Sequence, residues 1–160
     1  NKAVWNALSK NQIDTIGTDH VANQLKLKLA GDDVWGALAG FPGIGTVIPI
    51  LLNDGVNQNR ITLEQFVQFT SQNAAKIFGM YPQKGTLEKN SDADITMIDL
   101  KKEKKVTSDL FGGFSDYIVY EGRNLKGWPV KTIVRGEIVA DDFEIIGKLG
   151  HGKLVERKIS

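Results

Sequence analysis

The sequence has 160 residues, of which 41% are hydrophobic and 24% are charged, and its formal net charge is +1. These values predict a soluble globular protein of one ordinary domain or two small ones, and they give no reason to expect a nucleic-acid or membrane partner. The absence of cysteine excludes disulfides and thiolate metal sites, and no apolar run approaches the roughly 20 residues that span a bilayer. We therefore expect a cytoplasmic protein.

The chain begins with a pattern typical of the interior of a domain. Val4, Trp5 and Leu8 form a short apolar face, which predicts the last turns of a helix. A brief turn then leads into a predicted strand. This order of elements, a helix followed by a turn, a strand and a loop, is typical of an α/β barrel. One such unit cannot close a barrel. The sequence therefore predicts a segment of a larger fold.

The stretch Ile13–His20 carries the first candidate site. Ile13–Ile16 is rich in β-branched residues and predicts a strand, which ends at Gly17; Asp19 and His20 follow directly. In a (β/α)₈ barrel the reacting groups lie where strands end, and a carboxylate there can bind a metal or take a proton from water. An aspartate after a strand is also commonly a turn residue or a helix cap.

A glycine-rich turn follows the polar loop Val21–Leu38, which is either a solvated surface loop or a segment that covers a substrate. The turn, Ala39–Gly45, holds three glycines and a proline, so its backbone can approach a ligand closely. It lacks the Lys-Ser/Thr of a phosphate loop. Thr46 is predicted to cap a buried, nearly apolar helix that ends near Asn53.

Two further helices are predicted before the chain changes to strands. Thr62 and Gln65 have the spacing of a capping box, and a second short helix ends at Gly79. Ile77 and Phe78 in that second helix are predicted to be core residues.

The second half of the sequence predicts an antiparallel sheet. A tight hairpin is expected at Arg135-Gly136, and the lysine-rich run Lys101–Lys105 is expected to be a solvated hairpin end. The tail from Gly147 is expected to lie over another surface or to be mobile. The predicted strands are Gly85–Leu87, Ile95–Leu100, Tyr117–Tyr120, Val130–Val134 and Glu137–Ala140.

A series of short motifs makes the chain resemble the carboxyl-terminal third of cyclic amidohydrolases. The similarity is to dihydropyrimidinases and hydantoinases, and more remotely to allantoinases and dihydroorotases. The resemblance implies a fold of class α/β plus β: residues 1–81 would be the closing part of a (β/α)₈ TIM barrel, and residues 82–160 part of a small β-sandwich. The motifs that carry it are Ile16–His20, Gly55–Asn57, Arg60–Leu63, Ala75–Gly79, Tyr81-Pro82, Lys84-Gly85, Ser91–Asp94, Val134–Gly136 and Gly150–Lys153.

The resemblance also implies a chemistry. In this family a pair of divalent metals, usually zinc, is held by four histidines and a carboxylated lysine from earlier strands. Asp19 matches the aspartate that binds one metal and shuttles the proton, and Gly40 with Phe41 matches the loop whose backbone holds the substrate. Gly40 stands where the family usually has Asn. His20 would be either a hydrogen-bonding neighbour of the metal site or a structural imidazole.

The departures from the family limit what we expect of this chain. After the Asp-His pair it has Val21-Ala22-Asn23, without the second histidine of dihydroorotases. Its only histidines are His20 and His151, and His151 is not expected to be catalytic. We therefore expect a fragment that binds no tight zinc pair, is inactive alone, and associates with itself or with the rest of its parent. In the intact parent we expect a homo-oligomeric hydrolase of a small cyclic amide; a non-catalytic, dihydropyrimidinase-like scaffold is the alternative.

Overall fold

The chain forms a helical first half and an antiparallel sheet in its second half. The structure is a computed structural model, which describes residues 2–157. The helices are α1 (Lys2–Ser9), α2 (Leu25–Lys28), α3 (Val47–Ile50), α4 (Leu63–Val67) and α5 (Asn73–Ile77). Short 3₁₀ turns cover Ile44–Thr46 and Ser108–Phe111, and π-helical turns cover Leu51–Val56 and Gln68–Gln72. The strands are β1 (Ile95–Lys105), β2 (Asn124–Val134), β3 (Glu137–Asp141) and β4 (Glu144–Ile145).

Helix α4 begins with the predicted capping box. The Thr62 hydroxyl accepts a hydrogen bond from the Gln65 N–H at 3.2 Å, and the Gln65 side chain accepts one from the Thr62 N–H at 3.0 Å. Two N–H groups at the start of the helix are satisfied in this way. The predicted second helix, Ala74–Phe78, forms as α5, and a π-helical turn joins it to α4 without a break. Its end was predicted correctly, since Gly79 has φ +68°.

The buried helix after the glycine-rich turn is longer than predicted. It runs from a 3₁₀ turn through α3 and then through a π-helical turn that includes Asp54 and Gly55 and ends at Val56. Thr46 does not cap α3 with its side chain; its hydroxyl donates to the Gly43 carbonyl at 3.0 Å. Leu52 is fully buried, as the apolar pattern predicted.

The sheet has the strand order β1-β2-β3-β4, with every pair antiparallel. The predicted hairpin is confirmed: Arg135 and Gly136 join β2 to β3 and have φ of +47° and +82°, which suit a two-residue hairpin turn. Strand β1 continues to Lys105, which pairs with Asn124, so the lysine-rich run belongs to β1 and is not a hairpin end; its first two residues lie at a shift in the register. The predicted strands at 85–87 and 117–120 do not form.

Two clusters of buried side chains make the core. Phe66 and Phe69 belong to the cluster in the helical half, and Trp128 belongs to the cluster in the sheet half. The halves pack closely, because Gly127 of β2 lies against Leu52, where a Cβ atom would be only 2.8 Å from that side chain. The division into domains at residue 81 stays a prediction.

Two apolar segments differ from what the sequence predicted. Ile77 and Phe78 are 59% and 51% exposed, because they point away from the core that this chain builds. Ile13–Ile16 forms no strand, since no strand lies beside it in residues 2–157 to supply a ladder of hydrogen bonds.

Candidate active site

The segment that carries Asp19 is hydrogen-bonded to the helical run that extends from α4 to α5. The Ile16 N–H donates to the Phe69 carbonyl at 3.3 Å, and the Asn73 side chain donates to the Asp14 carbonyl at 2.9 Å. Both partners belong to the helical run that begins at Thr62. This helical run therefore sets the position from which Asp19 projects.

Asp19 has a backbone conformation that is uncommon for a residue with a side chain. Its φ is +45°, in the left-handed region, and its side chain is exposed. This conformation costs about 1–2 kcal/mol in an L-residue, although aspartate adopts it more readily than most. Such strain persists only where the surrounding contacts hold it in place.

The glycine-rich turn lies directly beside the Asp19 segment. His20 and Phe41 form an isolated parallel β-bridge, and the Val21 N–H donates to the Phe41 carbonyl at 3.0 Å. Gly40 has φ +84°, and a Cβ atom there would overlap the Val21 side chain. The structure thus brings together all four residues that the sequence predicted for the site: Asp19, His20, Gly40 and Phe41.

His20 makes a second contact with the turn through its side chain. Its Nδ1 accepts hydrogen bonds from the Gly43 N–H at 3.0 Å and from the Ile44 N–H at 3.4 Å. These N–H groups lie at the start of the 3₁₀ turn that leads into α3. The imidazole is therefore joined to the far end of the same glycine-rich turn.

Lys28 is a site residue that sequence reasoning missed. Its ammonium group donates to the Leu38 carbonyl at 2.7 Å and to the Gly40 carbonyl at 2.9 Å, and it lies 4.1 Å from the centre of the Phe41 ring. The sequence placed Lys28 in a polar loop and gave no sign of this contact. The cation therefore holds the carbonyl side of Gly40.

A small cavity lies behind the turn, with a volume of about 80 Å³. His20, Ser115 and Tyr117 contribute to its lining. Within the described part of the chain, the Ser115 and Tyr117 hydroxyl oxygens are buried without a hydrogen-bond partner. The cavity is large enough for ordered water.

The residues present do not make a metal centre by themselves. Between residues 2 and 157, no three histidine, aspartate or glutamate side chains come close enough together to hold a metal ion. Asp19 offers one carboxylate, and the Nδ1 of His20 is already occupied by backbone N–H groups. This chain therefore fits one ligand of such a centre and not the whole of it.

Lys84 and Asp94 have shifted pKa values and lie in the part of the chain that follows the helical half. Partial burial lowers the pKa of Lys84, but hydrogen bonds and attraction from Asp92 and Asp94 outweigh it and raise the pKa. For Asp94, burial acts in the opposite direction and raises the pKa. The hydrogen bonds from Lys84 and from the Arg135 N–H more than offset this effect, so the pKa of Asp94 lies below its usual range. These groups join the end of the helical half to the β2–β3 hairpin.

A family model described as the Amidohydrolase family matches residues 2–139. The chain belongs to the amidohydrolase family. The membership predicted from the short motifs is thereby confirmed.

Named amidohydrolases of similar sequence and structure are hydantoinases and dihydropyrimidinases. The L-hydantoinase of Paenarthrobacter aurescens is 40% identical over 159 residues, which are 99% of this chain and 35% of that protein. The D-hydantoinase of Geobacillus stearothermophilus is 36% identical over 158 residues, 98% of this chain and 34% of that protein. The solved dihydropyrimidinase of Brevibacillus agri superposes with a TM-score of 0.93 at 34% identity, covering 97% of this chain and 34% of that one.

The chain spans about a third of the length of the curated relatives it matches. Its helices and four-stranded sheet superpose on the solved L-hydantoinase (dihydropyrimidinase) from Arthrobacter aurescens with a TM-score of 0.93 over 98% of this chain and 35% of that one. In the described residues, no helix is long and apolar enough to cross a membrane.

Proposed function

We propose that this chain is the carboxyl-terminal third of a hydrolase that opens cyclic amides of the hydantoin or dihydropyrimidine type. The observation that carries the proposal is the His20–Phe41 bridge, which lays the glycine-rich turn beside the residue that precedes His20, Asp19. A reactive carboxylate next to a turn with accessible backbone is an arrangement suited to an amide ring. The names of the similar proteins support the same substrate class.

In this proposal Asp19 acts as a metal ligand and as the proton carrier. A pair of divalent ions, zinc by preference, would lower the pKa of a bound water once ligands from the rest of the proposed enzyme complete the centre. The Asp19 carboxylate takes the proton that the attacking water loses and passes it to the ring nitrogen that leaves. The backbone of Gly40 and Phe41 orients the ring, and the Lys28 ammonium holds that backbone in place.

The fold of the intact protein is part of the same proposal. Residues 1–81 would contribute the last helix, strand and helices of a (β/α)₈ barrel, with Asp19 at the exit of a barrel strand. Residues 82–160 would contribute strands to a small β-sandwich. The antiparallel sheet of β1–β4 supports the second assignment.

We further propose that the isolated chain is inactive and associates with itself or with the rest of its parent. Large apolar side chains lie at the surface in both halves, among them Trp35, Phe78 and Ile145. Exposed apolar area of this kind favours association. Size-exclusion chromatography at micromolar concentration should show species larger than 17.6 kDa, and a monodisperse monomer would contradict this.

A chimeric enzyme tests the proposed activity. The matching third of the Paenarthrobacter aurescens L-hydantoinase would be replaced by this chain, and ring opening of hydantoin would be followed by ultraviolet absorbance. We expect turnover by the chimera, none by the 160-residue chain alone, and a loss of about 10²–10⁴-fold in Asp19→Asn. A chimera that folds and assembles but never turns over would favour the non-catalytic scaffold instead.

A further inference from the structure

The contacts of the His20 ring define how its nitrogens are used. The Nδ1 atom accepts from two backbone N–H groups, Gly43 at 3.0 Å and Ile44 at 3.4 Å. A ring nitrogen that accepts carries no proton, so the proton of the neutral imidazole is on Nε2. The Nδ1 lone pair is directed at the glycine-rich turn and is not available to a metal ion.

The two N–H groups that His20 binds have no local partner. The helical run that starts at Ile44 leaves its first N–H groups without partners inside the helix. A side chain at the cap residue accepts from the second or third N–H of a helix, so it would not serve these two groups, and Gly43 makes no side-chain cap. His20 supplies the missing acceptor from 23 positions earlier in the chain.

The contact connects the two parts of the candidate site. On one side it is adjacent to Asp19, whose φ of +45° must be held by its neighbours. On the other side it fixes Gly43, whose carbonyl accepts from both the backbone N–H (3.1 Å) and the hydroxyl (3.0 Å) of the buried Thr46. Loss of the contact would free the turn to move relative to Asp19.

We propose that His20 is a positioning residue of the hydrolase, which acts as a remote helix cap and fixes the glycine-rich turn against the Asp19 segment. This inference rests on the proposed function for its consequence in catalysis, but its structural part is independent of it. His20 contributes no ligand to the metal centre in this arrangement.

Three substitutions at His20 separate this role from simple loss of a side chain. His20→Asn keeps an oxygen near the position of Nδ1, His20→Gln places its amide near the position of Nε2, and His20→Leu offers no acceptor. Amide hydrogen exchange of Gly43 and Ile44 is measured in the 160-residue chain and in the chimera. The N–H of Val106, which donates to the Arg123 carbonyl at 2.8 Å far from the turn, is the internal reference.

We expect exchange at Gly43 and Ile44 to accelerate about tenfold in His20→Leu and in His20→Gln, with the Val106 reference unchanged. In His20→Asn the exchange rates of these two N–H groups should stay within about threefold of those in the unsubstituted chain, because the acceptor is restored. Equal exchange at Gly43 and Ile44 in all variants would overturn the proposal, as would acceleration in His20→Asn equal to that in His20→Leu.

The chimera adds a catalytic readout. If the turn positions substrate, His20→Leu should lower kcat/KM about tenfold or more, and His20→Asn should recover most of it. Zinc content should be unchanged in His20→Leu, and loss of zinc there would refute the statement that His20 is no ligand. An inactive chimera with the expected exchange pattern would reject the proposed function and leave the positioning role standing.

Discussion

Lys84 is the residue whose removal tests how the helical half is tied to the sheet. Its ammonium group forms an ion pair with Asp92 at 2.8 Å and a second one with Asp94. Asp94 in turn accepts the Arg135 N–H at 2.8 Å, at the β2–β3 hairpin. The Lys84 and Asp94 side chains are 19% and 32% exposed, between a surface pair and a buried one.

Lys84→Met removes the charge and keeps most of the aliphatic stem. Exposed pairs contribute about 0.2–1 kcal/mol, and breaking a buried pair costs about 3–5 kcal/mol. The intermediate exposure of this pair therefore predicts a loss of about 1–3 kcal/mol in the free energy of unfolding at pH 7. Part of the loss comes from the two carboxylates, which repel each other once the cation is gone.

The directions of the pKa shifts predict how the stability loss in Lys84→Met changes with pH. The hydrogen bond from Lys84 lowers the pKa of Asp92, and the same cation with the Arg135 N–H lowers that of Asp94 against the effect of burial. A carboxyl whose pKa is lower in the folded state stabilises the fold above its unfolded pKa, about 3.9, and loses that contribution as the pH falls through the folded value. The difference in the free energy of unfolding between the unsubstituted chain and Lys84→Met should therefore shrink below about pH 4.

Urea unfolding of the 160-residue chain, at pH 7 and at about pH 3, measures both quantities. Lys126→Met is the matched control, because its pair with Glu103 spans 3.7 Å between side chains that are 45% and 69% exposed. The control should cost less than about 0.5 kcal/mol. An equal loss in the two variants, or a Lys84→Met loss that persists undiminished at pH 3, would refute the reasoning.

Three further substitutions are expected to have measurable effects in the same urea unfolding assay. Gly40→Ala should cost about 1–3 kcal/mol, because its Cβ overlaps Val21 at a positive φ, whereas Gly17→Ala, with open space around it, should cost less than about 0.5 kcal/mol. Trp128→Ala should cost about 3–5 kcal/mol, since the ring is fully buried, and a loss under 1 kcal/mol would contradict its place in the core. Thr62→Ala should cost about 1 kcal/mol through the capping box, and no change would show that the cap is energetically silent.

The features that the sequence predicted correctly depend on residues close together in the chain. The capping box needs only Thr62 and Gln65, and the hairpin needs only Arg135-Gly136 between two apolar strands. Both are decided by local backbone preferences. Predictions that needed a distant partner were wrong: Ile13–Ile16 has no neighbouring strand here, and Phe78 faces away from the core of this chain.

The candidate site shows the same division. Asp19 and Gly40 could be found because they lie in short motifs whose residue types suggest chemistry. Lys28 could not, because nothing in the spacing of a polar loop shows that its ammonium group reaches the Gly40 carbonyl 12 residues later. The role of His20 was open for the same reason, since its partners at Gly43 and Ile44 are set by the fold.

The placement of Asp19 relative to the glycine-rich turn is held by contacts inside this chain. The Val21–Phe41 hydrogen bond and the His20–Gly43 hydrogen bond lie on the carboxyl side of the strained residue, and the Ile16–Phe69 bond lies on its amino side. These contacts stabilise the left-handed backbone at Asp19 without any group from elsewhere. The backbone geometry of the candidate site is therefore set within this chain. We expect a partner in a chimera to supply the ligands of the proposed metal centre and the covering apolar surface without reshaping the turn.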